Sequence, residues 1–272
     1  MIAYSEIEAG SAEAGVSPQT LEKDYHLDWY LAALWSEKVF PQFAFYGGTA
    51  IKKLYVPHHR FSEDIDLISN ERLSPDSIRR ALDQAQKFLE REANLFYSYR
   101  PDEIQIAGTQ TRFVIHYRGF SELGGIKQFL LDFAQGIEGL PDFISKDLIS
   151  SYRDLKTRKV PIRALPLEVI CADKLALIVE RRRKEPRDIY DLWSVFMQVK
   201  NFDRHSFLNR CQKVSPLSTN LSVIDSTLKD MDFKKAWETR LKYQVPSLPD
   251  FEVVLLELEK KLETIFSKKR DG

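Results

Sequence analysis

Apolar residues recur along this chain with two different periods. From residue 18 to 38, Leu21, Tyr25, Leu27, Tyr30, Leu31, Leu34 and Trp35 fall at helical spacing behind Ser17-Pro18, a serine N-cap with proline in the first turn. That pattern predicts a helix packed under a sheet. Residues 75 to 93 repeat the arrangement behind Ser74-Pro75, with Ile78, Leu82, Ala85, Leu89 and Ala93 on one face of a second amphipathic helix. Strand-like runs fall at Phe43 to Tyr46, Asp64 to Ile68, Leu95 to Tyr99, Arg112 to Tyr117 and Phe129 to Phe133. Helix followed by antiparallel strands predicts a mixed sheet rather than a βαβ series. Residues 140 to 165, with Pro141, Pro161 and a polar middle, read as irregular and place a domain boundary near 160. Beyond it the pattern is helical. A helix begins at Pro166 with Leu167, Cys171, Lys174 and Ile178 on one face, and Phe202, Phe207, Leu208, Phe233, Trp237 and Leu241 read as bundle core. A last helix carries Phe251, Leu255, Leu258, Leu262 and Ile265. The predicted class is α+β: a mixed sheet with flanking helices over 1–160, then an all-helical domain over 161–272.

Composition narrows the class without naming a function. At 272 residues, with 43% hydrophobic and 29% charged positions, the chain has the make-up of a globular protein able to bury a core. Lys plus Arg and Asp plus Glu both number 40, so net charge argues neither for nor against nucleic acid as a partner. Cys171 and Cys211 make no disulfide framework and no zinc spacing, which suits a reducing cytosol. The five histidines, His26, His58, His59, His116 and His205, also lack metal-ligand spacing. No apolar run is long enough to span a bilayer and no signal peptide is visible, so the expectation is a cytoplasmic protein.

The chemistry concentrates between residues 46 and 67. The buried run ending at Tyr46 is closed by Gly47-Gly48, and the implied order is strand, glycine turn, helix. Such a glycine corner lets backbone approach a ligand closely, and the first N–H groups of the helix favour an anion, which makes a phosphate cradle. Downstream, Asp64-Ile65-Asp66-Leu67-Ile68 alternates with period two, so both carboxylates share one face. Two like charges so placed repel, and a divalent cation removes that cost. Mg²⁺ fits best, because it is usually held by one or two carboxylates together with substrate phosphates. A glycine pair alone is a common turn and an Asp-x-Asp alone is commonly a solvated face. Together, in this order, they favour a site for Mg²⁺ and a nucleoside triphosphate. Asp132, one acid within the apolar run Leu130 to Ala134, needs a partner: it either caps a turn or joins the Asp64 and Asp66 pair.

Gly47-Gly48-Thr49-Ala50 followed by Arg60-x-Ser62-x-Asp64-x-Asp66-Leu67 resembles the signature of the nucleotidyltransferase superfamily, and in this spelling the AbiEii/AbiGii family of bacterial abortive-infection toxins. Glu22-Lys23-Asp24-Tyr25 falls where that family has a similar run; otherwise it reads as the charged first turn of an amphipathic helix. Further on, Lys174, a basic cluster at Arg181 to Arg183, and Arg187-Asp188-x-x-Asp191-Leu192 are similar to the family's second signature. Lys174 and Arg181 are two helical turns apart, roughly 10 Å, and Arg187 and Asp191 have the spacing to pair along one helix.

The resemblance implies a nucleotidyltransferase-like core with a helical domain closing the nucleotide cleft. It implies metal ligation by Asp64, Asp66 and Asp132, with Asp132 helping to deprotonate the attacking hydroxyl and Lys174 counted with the catalytic set. Nucleotide or phosphate contacts fall to Gly47, Gly48, Thr49, Lys53, Arg60, Ser62, Arg181, Arg187, Asp188 and Asp191. The cofactor would be Mg²⁺ or Mn²⁺, the substrate an NTP, the acceptor a hydroxyl such as that of a tRNA 3′ end, and the partner an antitoxin encoded nearby. A non-catalytic nucleotide-binding regulator and an antibiotic-type, small-molecule nucleotidyltransferase share the same core and stand as alternatives.

Overall fold

A computed structural model describes residues 1–120, 125–180 and 184–267. The chain divides into two compact units, the first built from Met1–Pro57 and Phe61–Leu165 and the second from His58–Arg60 with the chain from Pro166 on.

In the first unit, helices α1 (Tyr4–Ala14) and α2 (Pro18–Ser36) precede strand β1 (Ala44–Tyr46). A single α-helical turn, α3 (Gly47–Ala50), runs on into a π-helical turn at Ile51–Tyr55. Strand β2 (Asp64–Ile68), helix α4 (Pro75–Ala93) and strands β3 (Tyr97–Ser98), β4 (Gln105–Ala107), β5 (Gln110–Arg118), β6 (Ile126–Ala134), β7 (Ile144–Asp147) and β8 (Pro161–Ala164) complete it. Among the described residues eight strands form one mixed sheet in the order β3-β5-β6-β2-β1-β8-β7, with β4 added on β5. β2 lies parallel to β6 and antiparallel to β1, and β5 and β6 form a long antiparallel pair.

Both long helices start where the sequence signals a cap: Ser17 and Ser74 accept hydrogen bonds from the N–H groups of Thr20 and Ser77, satisfying one of the donors a helix start leaves open. Ile65, Leu67, Phe113, Leu131 and Phe133 alternate onto one face of the sheet and are fully buried. Phe133 meets Phe40, Phe43 and Phe113 edge-on, and Tyr30 of α2 meets Phe129 at 5.1 Å between centroids. Each such ring removed from water contributes roughly 2 kcal/mol. That aromatic face fixes the register, and with it which residues point the other way.

Three local patterns departed from expectation. The Leu95 to Tyr99 run pairs only at Tyr97–Ser98, and β7 and β8 lie inside the stretch expected to be irregular. β7 shows an exposed, polar sequence, and β8 opens on a proline, which a strand tolerates at its first residue. β8 pairs with β1 and β7, so the first unit runs through Leu165. α1 carries no apolar stripe: Ile7 and Ser11 are its buried residues.

α2 also buries charge. Lys53 Nζ lies 2.7 Å from Asp24 Oδ2 and 2.5 Å from Asp28 Oδ1, with all three side chains at most 5% exposed. Tyr152 donates to Asp24 at 2.9 Å, and Tyr25 donates to Asp154 at 2.9 Å. Glu22 accepts from the Phe120 N–H and pairs with Lys127. Glu22, Asp24 and Tyr25 of the Glu-Lys-Asp-Tyr run are thus tied into the fold of the first unit.

Burial pushes the Asp28 carboxyl up to about 6; Lys53 draws it back and Asp24 adds to the rise. An aspartate in the unfolded chain titrates near 3.9. Between roughly pH 4 and 6 the folded state therefore holds a proton that the unfolded chain has released, so this contribution is present at low pH and is lost as pH rises through that window. The stability of the parent relative to Asp28→Asn is expected to fall by about 1–3 kcal/mol from pH 4 to 7, read from denaturant melts of both proteins at each pH. A difference independent of pH would contradict the assignment.

The second unit holds α5 (Leu167–Val179), α6 (Pro186–Gln198), α7 (Arg204–Val214), α8 (Leu221–Leu228), α9 (Met231–Leu241) and α10 (Phe251–Ser267). Phe196, Phe202 and Phe207 form an aromatic cluster at its core, and Trp237 packs against Phe251. Among the described residues no helix is long and apolar enough to cross a membrane.

Candidate functional site

Register decides what gathers on the open face of the first unit's sheet. Asp64 and Asp66 are half-buried on β2 while Ile65 and Leu67 between and beyond them are buried. Asp66 is in register with Asp132 on β6, and Asp132 with Arg112 on β5. Partners in register share a face, so Asp66, Asp132 and Arg112 form one row across three adjacent strands, with Asp64 two residues along from Asp66.

Arg112 grips Asp132 with both arms of its guanidinium: Nε to Oδ1 and Nη2 to Oδ2 are each 2.7 Å. The hydrogen bonds to Asp132 raise Arg112 above the ordinary guanidinium value, and the charges of Asp64 and Asp66 add to the pull. The arginine therefore stands in the field of all three acids.

The glycine corner joins the same row. Tyr46, the last residue of β1, is in register with Asp66, and Gly47 follows at φ 83°, a conformation that favours glycine. A Cβ on Gly47 would lie 2.3 Å from Asp66 Oδ2. The corner and the carboxylate are thus packed edge to edge, and any side chain at position 47 would displace Asp66. Gly48 is buried behind it. Thr49, also buried, donates its hydroxyl to the Asp64 carbonyl at 2.5 Å, which pins the start of β2 to the turn. Ser62 is half-buried just before β2.

Three oxygen donors on one sheet face fit a hard divalent cation by chemistry. Among the described residues, however, no group of three or more His, Cys, Asp or Glu side chains is gathered to hold one. Asp132 shares the face while both its oxygens lie on Arg112. The residues present fit a cation held by Asp64 and Asp66 with substrate oxygens.

Other expected contacts lie elsewhere. Lys53 is 2% exposed and enclosed by Asp24 and Asp28 rather than presented at the glycine corner. Burial pushes its ammonium down, but those two carboxylates outweigh the burial and hold it above the ordinary lysine value. Lys52, its neighbour, keeps partial exposure with Nζ 4.0 Å over the Phe61 ring.

Arg60, Lys174, Asp188 and Asp191 meet inside the second unit. Asp191 Oδ1 lies 2.6 Å from Arg60 Nε and 2.9 Å from His59 Nε2; its Oδ2 lies 2.9 Å from Arg60 Nη2 and 2.8 Å from Lys174 Nζ. Lys174 also reaches Asp188 at 2.7 Å, and Arg60 Nη1 donates to Gln244 at 2.9 Å. Burial alone would raise the Asp191 carboxyl, but Arg60, Lys174 and His59 hold it well below the usual carboxylate range. Lys174, the polar interruption of an apolar stripe, meets its anions within its own unit. The pairing of Arg187 with Asp191 expected from their spacing does not form: Arg187 pairs with Glu185 at 3.2 Å, because Asp191 faces the cluster. Arg181, with Arg182 and Arg183, lies outside the described residues.

Arg112 and His59 are among the residues of these clusters that escaped the sequence reading. Arg112 looked like the start of a strand, and only the β5/β6 register sets it against Asp132. His59 Nδ1 lies 2.9 Å from Ser194 Oγ while Nε2 faces Asp191, a serine, histidine and aspartate in line. Ser194 and Asp191 are 0% exposed and His59 is 3% exposed, so no substrate reaches that serine and the trio acts as a structural hub. Burial lowers the His59 imidazole despite Asp191.

Comparison with known proteins bears on the whole chain. No curated protein matches it. Among solved structures it is similar to MenT4, a nucleotidyltransferase toxin from Mycobacterium tuberculosis H37Rv, at TM-score 0.66 and 17% identity, over 100% of this chain and 92% of that one. An antigenic nucleotidyltransferase-like protein from Paracoccidioides brasiliensis matches at TM-score 0.37 and 14% identity over 79% and 93% of the two chains. The first of these shows the shared fold. The family model described as nucleotidyl transferase AbiEii toxin, type IV toxin–antitoxin system, matches residues 29–266, and with both signatures and the edge-to-edge glycine corner inside that span, the chain belongs to the AbiEii family of nucleotidyltransferase toxins.

Proposed function

We propose that this toxin transfers a nucleoside monophosphate from an NTP to a hydroxyl on RNA, with tRNA as the acceptor, in a reaction that depends on Mg²⁺ or Mn²⁺. The observation that carries it is the 2.3 Å approach of Asp66 to the position a Cβ would take on Gly47, which sets a phosphate-accepting corner directly beside two carboxylates. The acceptor oxygen bonds to the α-phosphorus, the bond from that phosphorus to the bridging oxygen breaks, and pyrophosphate leaves. Asp64 and Asp66 would hold the cation, which when bound supplies charge stabilisation to the attacking and leaving oxygens. The backbone at Gly47 and Gly48 holds phosphate, and Thr49 keeps the corner in place through Asp64. Asp132 takes the proton of the attacking hydroxyl. Lys174 is proposed to serve the catalytic set through the positive charge that Asp188 and Asp191 maintain on it against burial. The protein acts in the cytoplasm and is opposed there by the antitoxin that a type IV system implies.

The test is incubation with each α-labelled NTP, Mg²⁺ and total bacterial RNA. A labelled band at tRNA size, lost when the metal is chelated, is the expected result. Label confined to a small molecule would replace the RNA acceptor with a drug-like one, and no transfer under any condition would leave a nucleotide-binding regulator.

A further inference from the structure

We propose that Arg112 is a positioning residue that occupies Asp132 in the nucleotide-free protein and hands it over when a divalent cation and a triphosphate arrive, its guanidinium passing to a phosphate. The inference rests on the reading of Asp64 and Asp66 as the cation-binding pair. It explains why a third acid can lie in register with Asp66 without the three being gathered into a metal site.

Geometry supports each half. Three carboxylates on one face repel unless a positive charge stands among them, and Arg112 supplies it through a two-armed contact with both Asp132 oxygens. Arg112 lies two strand spacings from Asp66, roughly 10 Å between Cα atoms, within the combined reach of an arginine side chain and a phosphate seated at the Gly47 corner. Its side chain is 44% exposed against 17% for Asp132, so the arginine is the partner with room to swing. A half-exposed pair of this kind contributes little to stability, so the sheet does not depend on it. The guanidinium fork fits two oxygens of a phosphate as well as it fits a carboxylate.

The full chain carries the test. Mn²⁺ binding without nucleotide is measured by electron paramagnetic resonance for the parent, Arg112→Gln, Asp132→Asn and the double variant, and binding of a non-hydrolysable NTP with Mg²⁺ is measured by calorimetry. Arg112→Gln is expected to bind Mn²⁺ about ten- to a hundredfold more tightly, chiefly because it releases the Asp132 carboxylate to the cation. It is expected to bind the triphosphate about tenfold more weakly. With Asn at 132, adding Arg112→Gln should change Mn²⁺ affinity much less, because the acid it would release is gone. Mn²⁺ affinity within twofold of the parent, or triphosphate affinity within twofold, overturns the inference. Asp66→Asn separates the two levels: if it leaves Mn²⁺ binding intact, the metal site itself is misassigned, whereas if it abolishes binding and Arg112→Gln changes nothing, only the handover fails.

Discussion

Asp66→Asn is expected to lower nucleotide transfer at least about a thousandfold, the scale seen when one preorganised electrostatic contact to a reacting centre is removed, and to leave the melting temperature unchanged within about two degrees. The two expectations have one cause. Asp66 sits in a row with Asp132 and two residues from Asp64, where two like charges oppose it and a cation with phosphates on the same face would draw on it. Asparagine keeps the shape that packs against Gly47 and a polar oxygen while deleting one of three like charges on the face, so the loss falls on the chemistry rather than on the fold. Transfer of label from an NTP and a thermal melt on the same preparation read both. Retention of more than about a third of parental activity would remove Asp66 from the chemistry, and a collapse of the melt would make it a structural residue.

Local patterns reach part of this candidate site, and they fail at identifiable places. The Asp64-x-Asp66 alternation and the glycine corner are properties of adjacent residues, so period and turn chemistry reach them. That Gly47 touches Asp66 is not local: it follows from Tyr46 pairing antiparallel with Asp66, a register set by the Ile65, Leu67 and Phe133 face. Arg112 illustrates the limit more sharply. Nothing near Arg112 announces a partner, and Asp132, twenty positions on, announces only that it needs one; the antiparallel pairing of β5 with β6 supplies the match. Lys53 and Arg60 failed for the opposite reason. Both stand inside the stretch that the sequence reading proposed for phosphate, yet each is buried on carboxylates from distant segments, Asp24 and Asp28 for one and Asp191 for the other. β7 escaped because an exposed edge strand needs no apolar alternation, and β8 because its alternation spans four residues that open on a proline.

Asp191→Ala is expected to destabilise the second unit by about 3–5 kcal/mol, the cost of stripping a buried ion cluster of its central charge, and to lower that unit's melting transition by roughly 10–20 °C. Arg60 is 4% exposed and Lys174 6% exposed, so neither cation can turn to water when the carboxylate goes. Asp188 remains for Lys174 and the Gln244 amide for Arg60, which together replace one charge between two. His59 loses its Nε2 partner as well. Asp191→Asn should fall between parent and alanine, because it keeps the shape and an acceptor oxygen while deleting the charge. The pH dependence carries the sign: Arg60 and Lys174 hold the Asp191 carboxyl well below the usual range against burial, so its contribution is complete above about pH 4 and is lost only as pH falls through the depressed folded value. Differential scanning calorimetry of parent and both variants at pH 7, and denaturant melts below pH 4, give the comparison. A cost under about 1 kcal/mol for the alanine variant would mean that the cluster is balanced without its central acid, and the structural weight assigned to Arg60, His59 and Lys174 would have to move to the surrounding apolar core.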